Sequence, residues 1–318
     1  MQNNQNFRIF IIFTNNMASF IEPSLLEGEH FSEAIRIVCC FFQVESLHRE
    51  QVEALKAFLL GKNIFFSAGT GYGKSLVFQA VPLLADLLEE QVVGTSIAIV
   101  ICPLVSLMLD QVAYLKSLGL NAAAVYQGQN EDVLREIEEG HYAYIYATPE
   151  SMLSVKRWQK MLRTPYFIEH CVLVAVDEAH CISQWGLPGA KPVPFRKWYG
   201  NLGELRALFK DVNFIACTAT ATISTKSKIF NVLQMNRGNT LEIEVSPDRA
   251  NLTYAMQYVD NEIPLGDVFD NVIEHVRTEK TRTPRTIIYC QTIKQCAILW
   301  RTFKLELEED FYHIVETT

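Results

Sequence analysis

A glycine-rich stretch that ends in a lysine and a serine follows an apolar run early in the chain. Residues 64–75 read Ile-Phe-Phe-Ser-Ala-Gly-Thr-Gly-Tyr-Gly-Lys-Ser. Glycines permit backbone angles that turn successive N–H groups toward phosphate oxygens, and the N-terminus of a following helix adds positive charge. We therefore predict a phosphate-binding loop in which Lys74 holds the β- and γ-phosphates and Ser75 binds Mg²⁺. The predicted loop comprises Gly69, Thr70, Gly71, Tyr72, Gly73, Lys74 and Ser75.

Two adjacent acids follow a second apolar run, residues 171–176. Acids at the carboxyl end of a parallel strand face the ligand crevice of the sheet. Asp177 is predicted to complete the Mg²⁺ shell through water, and Glu178 to orient and deprotonate the attacking water. Each pattern alone has a plainer explanation, namely a turn or a solvated loop after a core strand. Together, in this order, they predict ATP hydrolysis with ATP and Mg²⁺ as cofactors.

His180 completes the sequence Asp-Glu-Ala-His. A neutral imidazole beside the γ-phosphate can hydrogen-bond a partner segment and report whether the nucleotide is intact. The candidate partner is the stretch Thr218, Ala219 and Thr220, which follows another apolar run. A polar turn held by its own hydroxyl hydrogen bonds is the alternative for this stretch. The residues predicted to be catalytic are Lys74, Asp177, Glu178 and His180.

The elements that must position these residues alternate between apolar runs and amphipathic stretches. Such alternation predicts an α/β fold, in which a doubly wound parallel sheet is covered by helices on both faces. The predicted strands are 64–66, 97–101, 122–126, 144–146, 171–176 and 214–217, and the clearest helices are 50–60, 76–90, 107–118 and 131–139, with the second of these beginning near residue 74.

A second, smaller unit follows an irregular stretch at about 246–266. A strand at 286–290 is predicted to open it, with Thr292 as the cap of a helix over 293–307. One strand and one or two helices cannot bury a core alone, so we expect this unit to be incomplete. The predicted organisation is a disordered N-terminal extension at 1–30, a main domain at 31–247, and a linker with the start of a second domain at 248–318.

Composition limits the possible partners and compartments. The net charge is −8 at pH 7, so any nucleic-acid surface must be a local basic patch. The 8 cysteines form no Cys-x-x-Cys pair, which predicts reduced thiols of a cytosolic or nuclear protein and no zinc site. The apolar stretch 7–13 is too short to cross a membrane, so no membrane role is expected.

The motifs, taken in order, resemble those of the RecQ family of superfamily 2 DEAH-box helicases from about Phe41 to Leu299. The longest match is Asp-Glu-Ala-His-Cys-Ile-Ser-Gln-Trp-Gly at 177–186, which joins the nucleotide motif to an aromatic-rich loop. Further matches lie at 102–112, 146–150, 218–221, 248–252 and 287–290. The resemblance implies a RecA-like ATP-binding domain followed by the start of a second RecA-like domain.

The same resemblance implies a 3′-to-5′ DNA-unwinding ATPase whose partners are single-stranded DNA and duplex junctions, and we favour the nucleus over the cytoplasm as its compartment. It assigns His48 and Gln51 to adenine recognition, although a helix-surface glutamine is the plainer alternative. The residues assigned to DNA binding are Pro103, Ser106, Gln111, Thr148, Trp185 and Tyr289. Helix caps and turns are the alternative for most of these residues. Phe195, Trp198 and Tyr199 could stack on bases or lie in the core.

The chain departs from the family pattern in two places. After Gly186 the aromatic-rich loop is longer, with residues 187–194 preceding Phe195 and Arg196, which restore the pattern. No second-domain arginine finger, Cys-rich zinc module or winged-helix unit is visible, so we expect ATP binding with poor turnover. The alternatives to a DNA helicase are an ATP- and DNA-binding module without unwinding, and an RNA helicase of the DEAH type.

Overall fold

The computed structural model describes residues 21, 23–26, 28–188, 193–248, 263–264 and 266–308. The chain divides into two units, Met1–Arg249 and Ala250–Thr318. Each unit is described separately below.

The first unit is built on a seven-stranded parallel sheet with the strand order β3-β4-β2-β5-β6-β1-β7. The strands are β1 Asn63–Ser67, β2 Ile97–Ile101, β3 Ala122–Val125, β4 Tyr144–Ala147, β5 Cys171–Val176, β6 Asn213–Thr218 and β7 Thr240–Glu244. The doubly wound α/β fold and six of these strands are confirmed. The seventh strand was missed because it is not a continuous apolar run like the other six. Its sequence, Thr-Leu-Glu-Ile-Glu, alternates polar and apolar residues, as expected for a half-buried edge strand.

Ten helices cover the two faces of the sheet, within the described residues of this unit. Helices α1–α4 lie on one face and α5–α10 on the other. Their bounds are α1 Glu29–Phe41, α2 Arg49–Leu59, α3 Lys74–Leu88, α4 Val105–Ser117, α5 Glu131–Glu138, α6 Pro149–Ser154, α7 Lys156–Met161, α8 Pro165–His170, α9 Gly203–Leu208 and α10 Ile223–Val232. The four helices predicted from the sequence, at α2–α5, begin and end within two residues of the expected positions.

The central strands carry apolar side chains on both faces because both are covered. In β2, Ala98 and Val100 pack toward α1–α4, whereas Ile97, Ile99 and Ile101 pack toward α5–α10. A strand buried on both sides therefore reads as a continuous apolar run. Among the described residues, no helix is both long and apolar enough to traverse a lipid bilayer.

The start of the chain is partly folded onto this domain. Residues 1–20 lie outside the described residues. A 3₁₀ turn spans Pro23–Leu26, and Ile21 and Leu26 are buried in the core on the α1–α4 face. The predicted extension at 1–30 therefore contains at least one turn that packs on the domain, because its apolar residues find a surface beside α1.

The second unit contains two helices in its described residues, α11 Asp270–Glu279 and α12 Ile293–Leu307. Thr292 caps α12 through the backbone N–H of Gln295, at 3.2 Å, which confirms the predicted cap and helix. The predicted strand at 286–290 is wrong, because residues 284–290 form no strand. A strand needs a hydrogen-bonded neighbour, and the described part of this unit contains none. Of the predicted match at 248–252, residues 249–252 lie outside the described residues.

Candidate nucleotide site

The candidate site lies where three neighbouring strands end. Strands β5, β6 and β1 are adjacent and parallel, so their carboxyl ends share one edge of the sheet. The loops that follow them are joined by backbone hydrogen bonds. The N–H of Ala68 donates to the carbonyl of Thr218 at 3.1 Å, and the N–H of Ala179 to that of Cys217 at 2.8 Å. The three motifs predicted from the sequence are thereby brought together.

The predicted phosphate loop, residues 69–75, follows β1 and runs into the start of α3. Gly71 and Gly73 have φ angles of 87° and 82°, in the left-handed region that favours glycine. Helix α3 begins at Lys74, so its free N–H groups lie at the loop. The Nζ of Lys74 donates to the carbonyl of Gly69 at 3.2 Å, which folds the side chain back over the loop.

Gln51 and His48, the predicted adenine contacts, both touch this loop. Gln51 is buried, and its Nε2 donates to the carbonyl of Gly73 at 3.0 Å, while its Oε1 accepts the N–H of His48 at 2.8 Å. The His48 ring stacks on Tyr72 with 4.5 Å between the ring centroids. A Cβ at residue 73 would lie 2.6 Å from the Gln51 Nε2, so this contact also requires glycine.

Asp177 is buried, and each carboxylate oxygen accepts a hydrogen bond. Its Oδ1 accepts the N–H of Glu178 at 2.9 Å, and its Oδ2 accepts the Nε2 of Gln111 at 3.1 Å. Burial and the nearby Glu178 carboxylate raise the pKa of Asp177, against the opposing effects of Gln111 and Lys74. Glu178 has a φ of 48°, an uncommon angle for a residue with a side chain, which marks a constrained turn after β5.

Glu178 and His180 lie side by side. The Glu178 Oε2 is 3.1 Å from the His180 Nδ1, yet no described residue makes a well-aligned hydrogen bond to this buried oxygen. His180 lowers the pKa of Glu178, although burial acts the other way. The Glu178 carboxylate is therefore ionised at neutral pH and retains unused capacity to accept a hydrogen bond.

His180 also meets its predicted partner. Its Nδ1 is 3.1 Å from the Thr218 Oγ1, which in turn donates to the carbonyl of Thr220 at 2.9 Å. The surroundings of this ring favour a charged form over the expected neutral imidazole. The side chains of Cys181 and Glu178 raise the pKa of His180 to about 10, so the imidazolium is the favoured form.

Some of the residues assigned to DNA binding are exposed, and others are buried or already hydrogen-bonded within the protein. Ser106 is exposed in the first turn of α4, and Tyr289, in the second unit, is 89% exposed. Thr148 caps α6 by accepting the N–H of Ser151 at 3.2 Å. Pro103 is buried, and Gln111 is directed at Asp177 rather than at the open surface.

Arg196 links several of these segments. Its Nε donates to the Glu150 Oε1 at 2.8 Å, and its Nη1 donates to the carbonyl of Pro103 at 2.5 Å. The guanidinium also lies 5.6 Å from the Trp185 ring centroid and 5.1 Å from that of Tyr199. The sequence indicated Arg196 only as part of a restored pattern, and its pairing with Glu150 was missed because the two residues are 46 positions apart.

The aromatic-rich loop is mostly packed inward. Trp185 forms edge-to-face contacts with Phe195 and Tyr199, at centroid distances of 5.9 and 6.0 Å. Tyr199 is fully buried, Trp198 packs against the core, and Phe195 is 80% exposed. Of the four aromatic residues proposed for base stacking, Phe195 is the one whose ring is largely open to solvent.

Comparison with known proteins agrees with this geometry. The sequence model of the DEAD/DEAH box helicase family matches residues 48–229. The ATP-dependent DNA helicase hus2/rqh1 of Schizosaccharomyces pombe is 30% identical over 80% of this chain and 18% of its own length. The probable ATP-dependent DNA helicase RecS of Bacillus subtilis is 31% identical over 86% of this chain and 50% of its own.

A third relative, the ATP-dependent DNA helicase RecQ of Haemophilus influenzae, is 32% identical over 70% of this chain and 33% of its own length. This chain thus spans half or less of these three relatives. Among solved structures, the DUF1998 helicase MrfA bound to DNA has the same fold, with a TM-score of 0.66 at 14% identity over 87% of this chain and 39% of that protein. The chain therefore belongs to the DEAD/DEAH box helicase family and resembles its RecQ-type members over most of its length.

Proposed function

We propose that this chain is the nucleotide-binding part of a RecQ-type ATP-dependent DNA helicase that moves 3′ to 5′ along one strand. The observation that carries the proposal is the meeting of Lys74, the Asp177–Glu178 pair and the His180–Thr218 contact at one sheet edge. The curated relatives are named as ATP-dependent DNA helicases. Their names favour DNA over RNA as the partner.

In the proposed site, the loop from Gly69 to Ser75 binds the phosphates, and Lys74 neutralises the β- and γ-phosphate charge. Gln51 and His48 bind the adenine beside Tyr72. Gln51 contacts Gly73 and His48 stacks on Tyr72, so the proposed adenine contacts adjoin the proposed phosphate loop.

Mg²⁺ is the proposed metal. The donor set fits it, because a buried carboxylate and a hydroxyl beside a phosphate site are hard oxygen ligands. Asp177 and Ser75 would hold the ion, which when bound neutralises phosphate charge. Burial raises the pKa of Asp177, and the Lys74 ammonium opposes this rise, so the two side chains interact electrostatically in the proposed site.

Glu178 is the proposed base. It accepts a proton from the attacking water, whose oxygen bonds to the γ-phosphorus as the bond from that phosphorus to the bridging oxygen breaks. ADP and inorganic phosphate are the products. The lowered pKa of Glu178 keeps it in the ionised form that can accept this proton. His180, bonded to Thr218, transmits the state of the γ-phosphate to the segment after β6.

The proposed DNA face combines exposed contacts with a buried support. Tyr289, exposed in the second unit, is proposed separately as a contact with the single strand. Ser106 and Phe195, exposed in the first unit, are the proposed direct contacts of this domain with the single strand and with duplex junctions. Pro103, Thr148 and Trp185 hold their segments in place behind them. Roles in DNA repair, recombination or replication, and a nuclear location, follow from this partner as further parts of the proposal.

The test is the ATPase rate of the full 318-residue chain with single-stranded DNA, single-stranded RNA or no nucleic acid. The proposal expects DNA to stimulate hydrolysis more than RNA does, and Lys74→Ala to abolish the stimulation. Lys62→Ala, a change at an exposed lysine just before β1, is the matched control. Binding of ATP and DNA without stimulated hydrolysis would favour the binding module, and preference for RNA would favour the RNA helicase.

A further inference from the structure

Gln111 is held on the Asp177 carboxylate by a second glutamine. The Gln111 Nε2 donates to the Asp177 Oδ2 at 3.1 Å. On its other side, the Gln111 Oε1 accepts the Nε2 of Gln79, on α3, at 3.3 Å. The three side chains thus form a polar chain from the helix of the phosphate loop, through α4, to the first acid after β5.

The outer end of this chain is fixed in the core. Gln79 is 3% exposed, and its Nε2 also donates to the hydroxyl of Tyr146 at 3.1 Å. The hydroxyl of Tyr144 donates to the Gln79 backbone carbonyl at 2.8 Å. Both tyrosines belong to β4 and are buried. The Gln79 amide therefore has a defined position before Gln111 meets it.

The direction of each hydrogen bond follows from the carboxylate. Gln111 presents its NH₂ group to Asp177, whose Oδ2 accepts the hydrogen bond. The Gln111 oxygen must then point to Gln79, whose NH₂ group is the donor that satisfies it. Both amide orientations are thereby determined, and the Asp177 Oδ2 is held in one direction while its Oδ1 is held by the Glu178 N–H.

Helix α4 begins two residues after Pro103 and carries the exposed Ser106 in its first turn. This is the segment proposed above to lie on the DNA face. Gln111 lies one and a half turns further along the same helix, so a shift of α4 moves the Gln111 amide relative to Asp177. A direct hydrogen bond therefore connects the DNA-facing helix to the proposed Mg²⁺ carboxylate.

We propose that Gln111 is a positioning residue for Asp177, and that α4 acts on the metal site through it. The inference rests on the proposed function, since it assumes that Asp177 serves Mg²⁺ and that α4 meets DNA. It replaces the expectation that Gln111 itself contacts DNA, because the side chain reaches inward to Asp177.

The experiment compares Gln111→Leu with the wild-type chain in two binding measurements that need no turnover. The first is binding of a fluorescent ADP analogue as Mg²⁺ is titrated, with the metal-free affinity measured separately. The second is binding of a fluorescent single-stranded oligonucleotide without nucleotide. Gln129→Leu is the matched control, because Gln129 donates to the Ala124 carbonyl in β3, three strands from β5.

We expect Gln111→Leu to raise the half-saturating Mg²⁺ concentration about tenfold, as for loss of one hydrogen bond to a charged group. Metal-free ADP binding and DNA binding should match those of the control. Gln79→Met, which frees the Gln111 amide to turn, should shift the Mg²⁺ dependence in the same direction by a smaller factor. Thermal melting of each variant separates these effects from misfolding.

Three results would overturn the inference. If Gln111→Leu weakens DNA binding and leaves the Mg²⁺ dependence unchanged, Gln111 is a DNA contact. If metal-free and Mg²⁺-dependent ADP binding weaken equally, its role is only structural. If the wild-type chain itself binds no ADP with Mg²⁺, the proposed function fails together with the inference. The first two results, in contrast, overturn the inference and leave the proposed function in place.

Discussion

The candidate nucleotide site and the aromatic-rich loop differ in the interactions that hold their segments together. At the nucleotide site, strand register and backbone hydrogen bonds bring the loops after β1, β5 and β6 together. At the aromatic-rich loop, side-chain contacts hold the segments together, because Arg196 contacts Glu150, the Pro103 carbonyl and two aromatic rings. The residues of the first site lie at strand ends that the sequence pattern predicts, whereas the side-chain partners of the second site follow no local pattern.

The largest expected effect tests the chemistry of the backbone-built site. Glu178→Gln keeps the size of the side chain but removes the proposed proton acceptor, so hydrolysis should fall about 10³-fold, within the range for general-base catalysis. ADP binding should change little. The ATPase rate and ADP affinity of the full chain check this. A rate within a few fold of wild type would show that another group accepts the proton.

Gly73→Ala tests the backbone itself. The new Cβ would need a left-handed φ and would lie 2.6 Å from the Gln51 Nε2, so it disturbs both the loop and Gln51, the proposed adenine contact. We expect ADP affinity to fall at least about tenfold, because misplaced N–H groups no longer meet the phosphates.

Gly128→Ala is the matched control for that change. Gly128 has a φ of 93° but open space around the added Cβ, so it should cost only about 1–2 kcal/mol of backbone strain. Equal ADP affinity in the two variants would contradict the claim that the phosphate loop is shaped by its backbone and by Gln51.

The same contrast explains which features the sequence predicted. Lys74, Asp177 and Thr218 each follow an apolar run, and parallel strands place their carboxyl ends at one edge, so their meeting could be inferred. The inward direction of Gln111 could not, since it depends on how α4 is rotated about its own axis on the sheet. The prediction of a strand at 286–290 failed because an apolar run forms a strand only beside a pairing partner.

Arg196→Ala tests the side-chain-built region. The Arg196–Glu150 pair is half-buried, so its loss should destabilise the domain by about 2 kcal/mol, between the values for exposed and buried pairs. DNA stimulation of the ATPase should fall several-fold, while metal-free ADP binding should not change. Phe195→Ala is the control, since removal of this exposed ring should lower DNA stimulation without affecting thermal stability.

The same pair predicts a pH dependence. Burial would raise the pKa of Glu150, but hydrogen bonds with Arg196 and with its own backbone hold it below its ordinary value of 4.5. A lowered folded-state pKa contributes stability above the unfolded pKa, and that stability is lost as pH falls through the folded-state pKa. The difference in unfolding free energy between wild type and Arg196→Ala should therefore be full at pH 7 and shrink below about pH 4.5. A difference independent of pH would show that packing of the guanidinium, not its charge, stabilises the loop.

Thr148→Ala should have the smallest effect. Thr148 accepts the Ser151 N–H at the start of α6, so its loss should cost about 1 kcal/mol of unfolding free energy, as for other N-caps. Asn130→Ala, which removes the equivalent cap of α5, should cost about the same. Because the Thr148 oxygen is already used within the helix cap, oligonucleotide affinity should be equal in the two variants. Weaker DNA binding by Thr148→Ala alone would make this residue a direct contact, and a backbone-capping position would then belong to the DNA face as well.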